Sequence, residues 1–206
     1  MIVSDFVENI NENIPMGFYD ILPKECDEQG CNSPMVMTEL LTELQCSNPF
    51  CPSKVSYRIH QLLEDIGVTY ITESQVHEFV IDHKITNVFE IFLYDFSQEP
   101  VFSTGVSDIL SKALSNTLKQ NKLFTNYEYV KVAHLPNMSL MIKPLFKDCS
   151  DLNVFYEKLE SKGMAYLQLL LKEDSNTITV DMVKVYETLL TYKNELLEGL
   201  NYVNIL

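Results

Sequence analysis

The chain has 206 residues, 46% of them apolar, and a formal charge of −14. That length allows one large or two small domains, and that apolar share is enough for a core. The acidity argues against a surface that binds phosphates all over, and no apolar run reaches the roughly 18 residues of a membrane span. Six glycines and no tryptophan, with many Leu and Lys, favour helices over β-structure. The charge is uneven. Residues 1–110 carry 4 basic and 18 acidic side chains, whereas residues 111–147 carry 6 lysines and one acid, Glu128. One basic island therefore sits in an acidic chain.

Residues 1–22 read as an N-terminal arm. Val3, Phe6, Val7 and Ile10 recur at helical spacing until Pro15 and Gly17 end the pattern. The segment is either a partner-binding helix or one packed on its own domain. It has no basic n-region, so it does not read as a secretory signal. With free thiols this points to a reducing, cytoplasmic location.

Residues 23–53 hold four of the five cysteines in two pairs, Cys26-x4-Cys31 and Cys46-x4-Cys51. Two thiolate pairs on two turns suit a tetrahedral Zn2+ site. Gly30 precedes the second cysteine and can take the positive φ such a turn needs. Asn48, Pro49 and Pro52 stiffen the second turn. Two disulfides and four unrelated core thiols are the alternatives. Residues 35–44 between the pairs read as a short hairpin or a helical turn. His60, nine residues after Cys51, can replace a cysteine ligand, but its simpler reading is a surface or capping histidine.

From Ser53 the pattern is helical, and residues 54–206 form the third expected domain. Val55, Ile59, Leu62, Leu63 and Ile66 make one apolar stripe, closed by Gly67 in left-handed conformation. Thr72-x-x-Gln75 is a capping box for a helix through Val76, Phe79, Val80 and Ile81. Ser107 is expected to cap a helix through Leu118. Residues 127–133 form a further helix, and 134–139 a turn in which Asn137 tolerates positive φ. Leu140, Ile142, Leu145 and Phe146 fall on the next helix. Ser150 and Asp151 cap one through Leu159, and 164–171 is an apolar helical run. Residues 174–179 form a loop. One last helix, capped by Thr179 or Asp181, runs from Met182 through Leu197. Residues 55–200 are thus expected to be nearly all helical.

The run Cys46-Ser-Asn-Pro-Phe-Cys51-Pro-Ser-Lys54, with Arg58-Ile-His60 after it, resembles the zinc finger of bacterial NAD-dependent DNA ligases. In that family the second cysteine turn leads into tandem helix-hairpin-helix motifs. The resemblance spans roughly residues 21–200. It implies a mainly α fold, a small four-cysteine zinc module followed by degenerate helix-hairpin-helix units. The first cysteine turn departs from the family's C-x-x-C spacing. The hairpin glycines are mostly missing, with Gly105 as the survivor. Such motifs hold DNA without sequence preference, through hairpin backbone amides and nearby cations. Gly105, Asn137 and Ser139 would then lie at hairpins. Lys112, Lys119, Lys122, Lys131, Lys143 and Lys147 would supply phosphate contacts in units two and three. The plain alternative is that these lysines are a solvated face.

No Lys-x-Asp-Gly nucleotidyl-transfer motif occurs, and neither a P-loop, a Gly-x-Ser-x-Gly run nor a His-Glu-x-x-His run is present. Cys149 reads as a half-buried thiol. The chain is therefore expected not to be an enzyme. Two functions fit. One is a DNA-associated accessory protein on duplex or nicked DNA. The other is an acidic interaction module or DNA mimic that binds a ligase, polymerase or transcription complex. A glycine-poor ligase-like fragment of this kind suits a viral genome.

Overall fold

The structure is a computed structural model, and it describes residues 22–37, 43–96, 102–119, 125–172 and 181–204. The N-terminal amphipathic segment, Lys122 and the 174–179 loop lie outside the described residues. The chain is mainly helical and divides into two compact units, Met1–Asn48 and Pro49–Leu206. In the first, β1 (Met35–Met37) and β2 (Leu44–Cys46) form a two-stranded antiparallel ribbon. In the second, α1 (Pro52–Asp65) and α2 (Glu73–His83) precede a 3-10 helix (Val88–Leu93). Then come α3 (Thr104–Lys119), α4 (Asn126–Val132), α5 (Ile142–Phe146) and α6 (Leu152–Lys162). Three more follow: α7 (Met164–Lys172), α8 (Met182–Thr191) and α9 (Lys193–Asn204). No described helix is long and apolar enough to cross a membrane.

Local signals set the first helices. Pro52 opens α1, where its missing N–H costs nothing. Val55, Ile59, Leu62 and Leu63 bury its stripe. Gly67, at φ +91°, closes it, and Val68 N–H bonds back to the Leu63 carbonyl at 2.8 Å. Thr72 and Gln75 form the expected capping box of α2. Asn87 and Glu90 form another on the 3-10 helix. α1 packs on α2, and an aromatic cluster of Phe79, Tyr94, Phe96 and Phe102 lies beyond, with ring centroids 5.1 to 6.3 Å apart.

A buried ionic network holds the second unit together. Arg58 is the chain's only arginine, and it sits on the apolar stripe of α1. Its Nη2 donates to Glu195 Oε2 of α9 at 2.9 Å, and its Nε donates to the Ala133 carbonyl at 2.9 Å. The other carboxylate oxygen, Glu195 Oε1, accepts from Val88 N–H at 3.0 Å. Asn87 Nδ2 donates to the Glu195 carbonyl at 3.0 Å. The guanidinium also lies 4.6 Å from the Tyr192 ring centroid. Side chains of Arg58 and Glu195 are 4% and 2% exposed, so neither charge is solvated and each depends on its partners. Beside this network Phe89 stacks on Tyr129 at 4.3 Å, and Tyr129 OH donates to the Leu196 carbonyl at 2.7 Å. Gly199 makes room for that pair. A Cβ there would stand 2.4 Å from the Tyr129 hydroxyl and 2.5 Å from the Phe89 ring.

Three sequence expectations need correction. Ser107 does not cap a helix, because α3 already begins at Thr104. Ser107 lies buried in its first turn, with its N–H on the Ser103 carbonyl. Leu140 is not helical. It lies in the turn before α5 and is 69% exposed. The last helix is two helices, broken at Tyr192, which has φ −96° and ψ 6°. That residue is anchored at both ends. Its ring packs edge-on against Phe50 at 5.4 Å, and its hydroxyl donates to the Pro49 carbonyl at 3.3 Å. Tertiary contacts there override a continuous helical pattern.

Candidate metal centre

The site grows from two turns and the ribbon that follows the first. Cys26 N–H donates to the Ser33 carbonyl at 2.8 Å, and Cys31 N–H donates to the Glu28 carbonyl at 3.0 Å. Two left-handed residues allow this tight reversal, Gly30 at φ +81° and Asn32 at φ +48°. Met35 N–H then closes on the Lys24 carbonyl at 2.9 Å, starting β1. The register pairs Met35 with Cys46, so the end of β2 returns beside the first turn. Asn48 N–H caps the Cys46 sulfur at 3.4 Å. Cys51 follows as the residue before α1, and its sulfur lies 3.3 Å from Ser53 Oγ.

The sulfurs of Cys26, Cys31, Cys46 and Cys51 all lie within 4.8 Å of one another. No disulfide joins the five cysteines. Cys31 and Cys46 have their sulfurs 3.5 Å apart, close to the roughly 3.8 Å edge of a tetrahedron with metal–sulfur bonds of about 2.3 Å. Cys26, Cys46 and Cys51 are buried, and Cys31 is partly exposed. Asn48 Nδ2 donates to the Cys31 sulfur at 3.6 Å. Burial pushes the Cys31 thiol up, but hydrogen bonds from Ser33, Asn48 and Cys46 outweigh it and bring it down to about 6. Thiolate donors are what a borderline-soft cation binds. These four residues can hold a metal ion.

A second observation fits a metal. Among the described residues of the first unit, the buried side chains are Cys26 and Cys46 alone. Bound metal supplies folding energy to small modules of this kind. His60 is not part of the set. Its Nε2 pairs with the Ile71 carbonyl at 3.0 Å, in the connection between α1 and α2.

The expected DNA-contacting residues are placed less coherently. Gly105 lies in the first turn of α3 rather than in a hairpin. Its φ is not positive, and a Cβ there would meet nothing within 4 Å, so nothing in that position requires glycine. Asn137 does take the left-handed conformation, at φ +60°, in the turn between α4 and α5, where Ser139 also lies. Lys112 and Lys119 of α3, Lys131 of α4, Lys143 of α5 and Lys147 after it are all exposed.

Cys149 is half-buried beside a cavity of about 130 Å³ lined by Lys147, Ser150, Phe155, Lys158 and Tyr166. Burial pushes its thiol up, and its sulfur points to the Asp151 carbonyl at 3.5 Å. That is the opposite of an activated nucleophile. Sequence reasoning gave Arg58 no role in the core and did not single out Glu195. The signal was present: each is a charged residue at an apolar-stripe position of its helix. No family model, curated protein or solved structure matches the chain.

Proposed function

We propose that the protein is a zinc-organised, non-catalytic binding protein of a reducing compartment. Zn2+ is held by Cys26, Cys31, Cys46 and Cys51 and is structural, because four thiolates leave no open position for a substrate. The observation that carries this is the convergence of four cysteine sulfurs within 4.8 Å, beside a first unit whose described residues bury no other side chain. The ligand of the helical unit is duplex or nicked DNA, bound weakly and without sequence preference. Exposed Lys112, Lys119, Lys131, Lys143 and Lys147 on or next to α3, α4 and α5 support this reading, as does the helix–turn–helix order of α1–α2 and α4–α5 that degenerate helix-hairpin-helix units require. Gly105 offers no hairpin amides, so cations have to dominate the contact.

A second reading rests on the acids Glu64, Asp65, Glu73, Glu78 and Asp82, all exposed on α1 and α2. On this reading the acidic face docks on a DNA-processing protein and DNA is not bound.

The test has two parts. Metal analysis of protein purified without chelator should find about one zinc per chain. Gel shifts on nicked and intact duplex should give a Kd in the micromolar range or weaker, and log K should fall by about 0.9 per phosphate contact for each decade of salt. Reversing Lys131, Lys143 and Lys147 to Glu should abolish the shift. Absence of any shift at low salt removes the DNA reading and leaves the acidic one. Zinc well below one per chain removes the metal reading.

A further inference from the structure

The four cysteines are not equally protected, and that asymmetry has a chemical consequence. Cys26, Cys46 and Cys51 are buried, whereas Cys31 is partly exposed. Of the four residues, Cys31 is therefore the one that a reagent arriving from solvent can reach. Cys46, on the other turn, stands 3.5 Å away, within easy reach of a bond between the two sulfurs. Asn48 touches both of these sulfurs. Its backbone N–H donates to Cys46 at 3.4 Å and its side-chain amide to Cys31 at 3.6 Å. Hydrogen bonds from outer residues hold ligand atoms in place and withdraw electron density from a thiolate lone pair.

We infer that the centre is a hydroperoxide-sensitive switch in which Cys31 is the attacked sulfur, Cys46 the resolving one, and Asn48 the residue that restrains the reaction. The inference rests on the zinc reading above. The chemistry balances. The Cys31 thiolate attacks one oxygen of a hydroperoxide, the O–O bond breaks, and hydroxide (or alkoxide) leaves with its electron pair. Cys31 is then a sulfenic acid. The Cys46 thiolate attacks the Cys31 sulfur, the S–O bond breaks, and a second hydroxide leaves. Two thiolates have lost two electrons in total, the peroxide has gained them, and a Cys31–Cys46 disulfide has formed. Only Cys26 and Cys51 remain as thiolate donors, too few to retain the ion. Because the first unit buries no side chain but cysteine among its described residues, losing the ion should unfold it.

The experiment uses the full chain with zinc bound and Cys149→Ser to silence the remaining thiol. Hydrogen peroxide is added, released zinc is followed with a chromogenic chelator, and the products are mapped by peptide mass spectrometry without reduction. The expected result is zinc release with a Cys31–Cys46 linked peptide, reversed by a dithiol. Asn48→Ala should release zinc several-fold faster at the same peroxide concentration, and Asn48→Gln should be intermediate. Peroxide release that maps to another cysteine pair overturns the inference and leaves the zinc reading intact, and so does zinc that stays bound. An unchanged rate in Asn48→Ala overturns the restraining role. A chain purified without any zinc overturns both readings together.

Discussion

In the unit Met1–Asn48, two described side chains are buried, and both are cysteines. In the unit Pro49–Leu206, Phe79, Phe89, Phe96, Tyr129, Phe146 and Tyr156 are all nearly inaccessible, packed with Ile59, Leu62, Leu63 and Leu110. The first has a three-residue ribbon, two tight turns and four converging sulfurs with Cys51. The second has nine α-helices among its described residues and a charged pair sealed inside. One unit gains stability from area removed from water, at about 25 cal/mol per Å². The other has almost no such area among its described residues, and on the zinc reading proposed above it depends on a coordination bond set. Neither strategy substitutes for the other. A ribbon this short cannot be stable alone, and the helical unit needs no ion to have a core.

Removing the metal should break this comparison most visibly. Apparent zinc-binding energies for structural sites are about 10–16 kcal/mol near neutral pH, and in such modules that energy is folding energy. A chelator strong enough to strip the protein should abolish hydrogen-exchange protection at the amides of Cys26, Cys31, Met35 and Ser47, each bonded to a backbone carbonyl of its own unit. The circular-dichroism signal at 222 nm should barely change. If helix melts along with the ribbon, the two units fold as one and the contrast is wrong.

The next largest effect tests the second unit. Arg58→Met should cost about 3–5 kcal/mol in urea unfolding, because it strands a buried carboxylate. Glu195→Leu should cost a similar amount, because it strands the buried guanidinium. Arg58→Met combined with Glu195→Leu should cost much less than the two single losses added together, since partners in one buried network are coupled. Additive losses would show that the pair contributes through separate contacts. Zinc content should stay unchanged in all three variants.

The smallest effect sharpens the comparison at a surface position. Asp151 Oδ1 accepts from Asn153 N–H at 2.7 Å and Val154 N–H at 3.4 Å, capping α6. Asp151→Ala should cost about 1 kcal/mol and lower the melting temperature of the helical transition by a few degrees. The chelator-sensitive amides should not respond.

What the sequence revealed follows the range of the interaction. The cap of α2, the left-handed residues Gly30, Gly67 and Asn137, and the pairing of cysteines are decided within a few residues, and all were legible. Helix rather than strand was legible too, because the 3.6-residue stripe repeats from Val55 onward. The start of α3 was not, since Ser103, Thr104 and Ser107 are equally plausible at a helix entry. The break at Tyr192 was hidden because its anchors, Phe50 and Pro49, stand more than 140 residues away. The glycine at position 105 misled by its type alone. It looked like a turn residue and is an ordinary member of a helix. Gly199 carries no signal of its own in the sequence, yet among the described glycines it is the one whose missing side chain the packing requires.

Arg58 meets Glu195 across 137 residues of chain. At synthesis rates of about 5–20 residues per second, roughly 7–27 seconds separate the appearance of the two. Through that interval α1 and α2 can form on local signals, and the α1 stripe can find its first apolar neighbours. The guanidinium has no carboxylate, and the amide of Val88 has no acceptor in Glu195. The buried network of the helical unit is therefore incomplete until α9 delivers the one side chain that satisfies α1 and the 3-10 helix together. A nascent chain paused short of that helix would keep its most polar core position without its carboxylate partner.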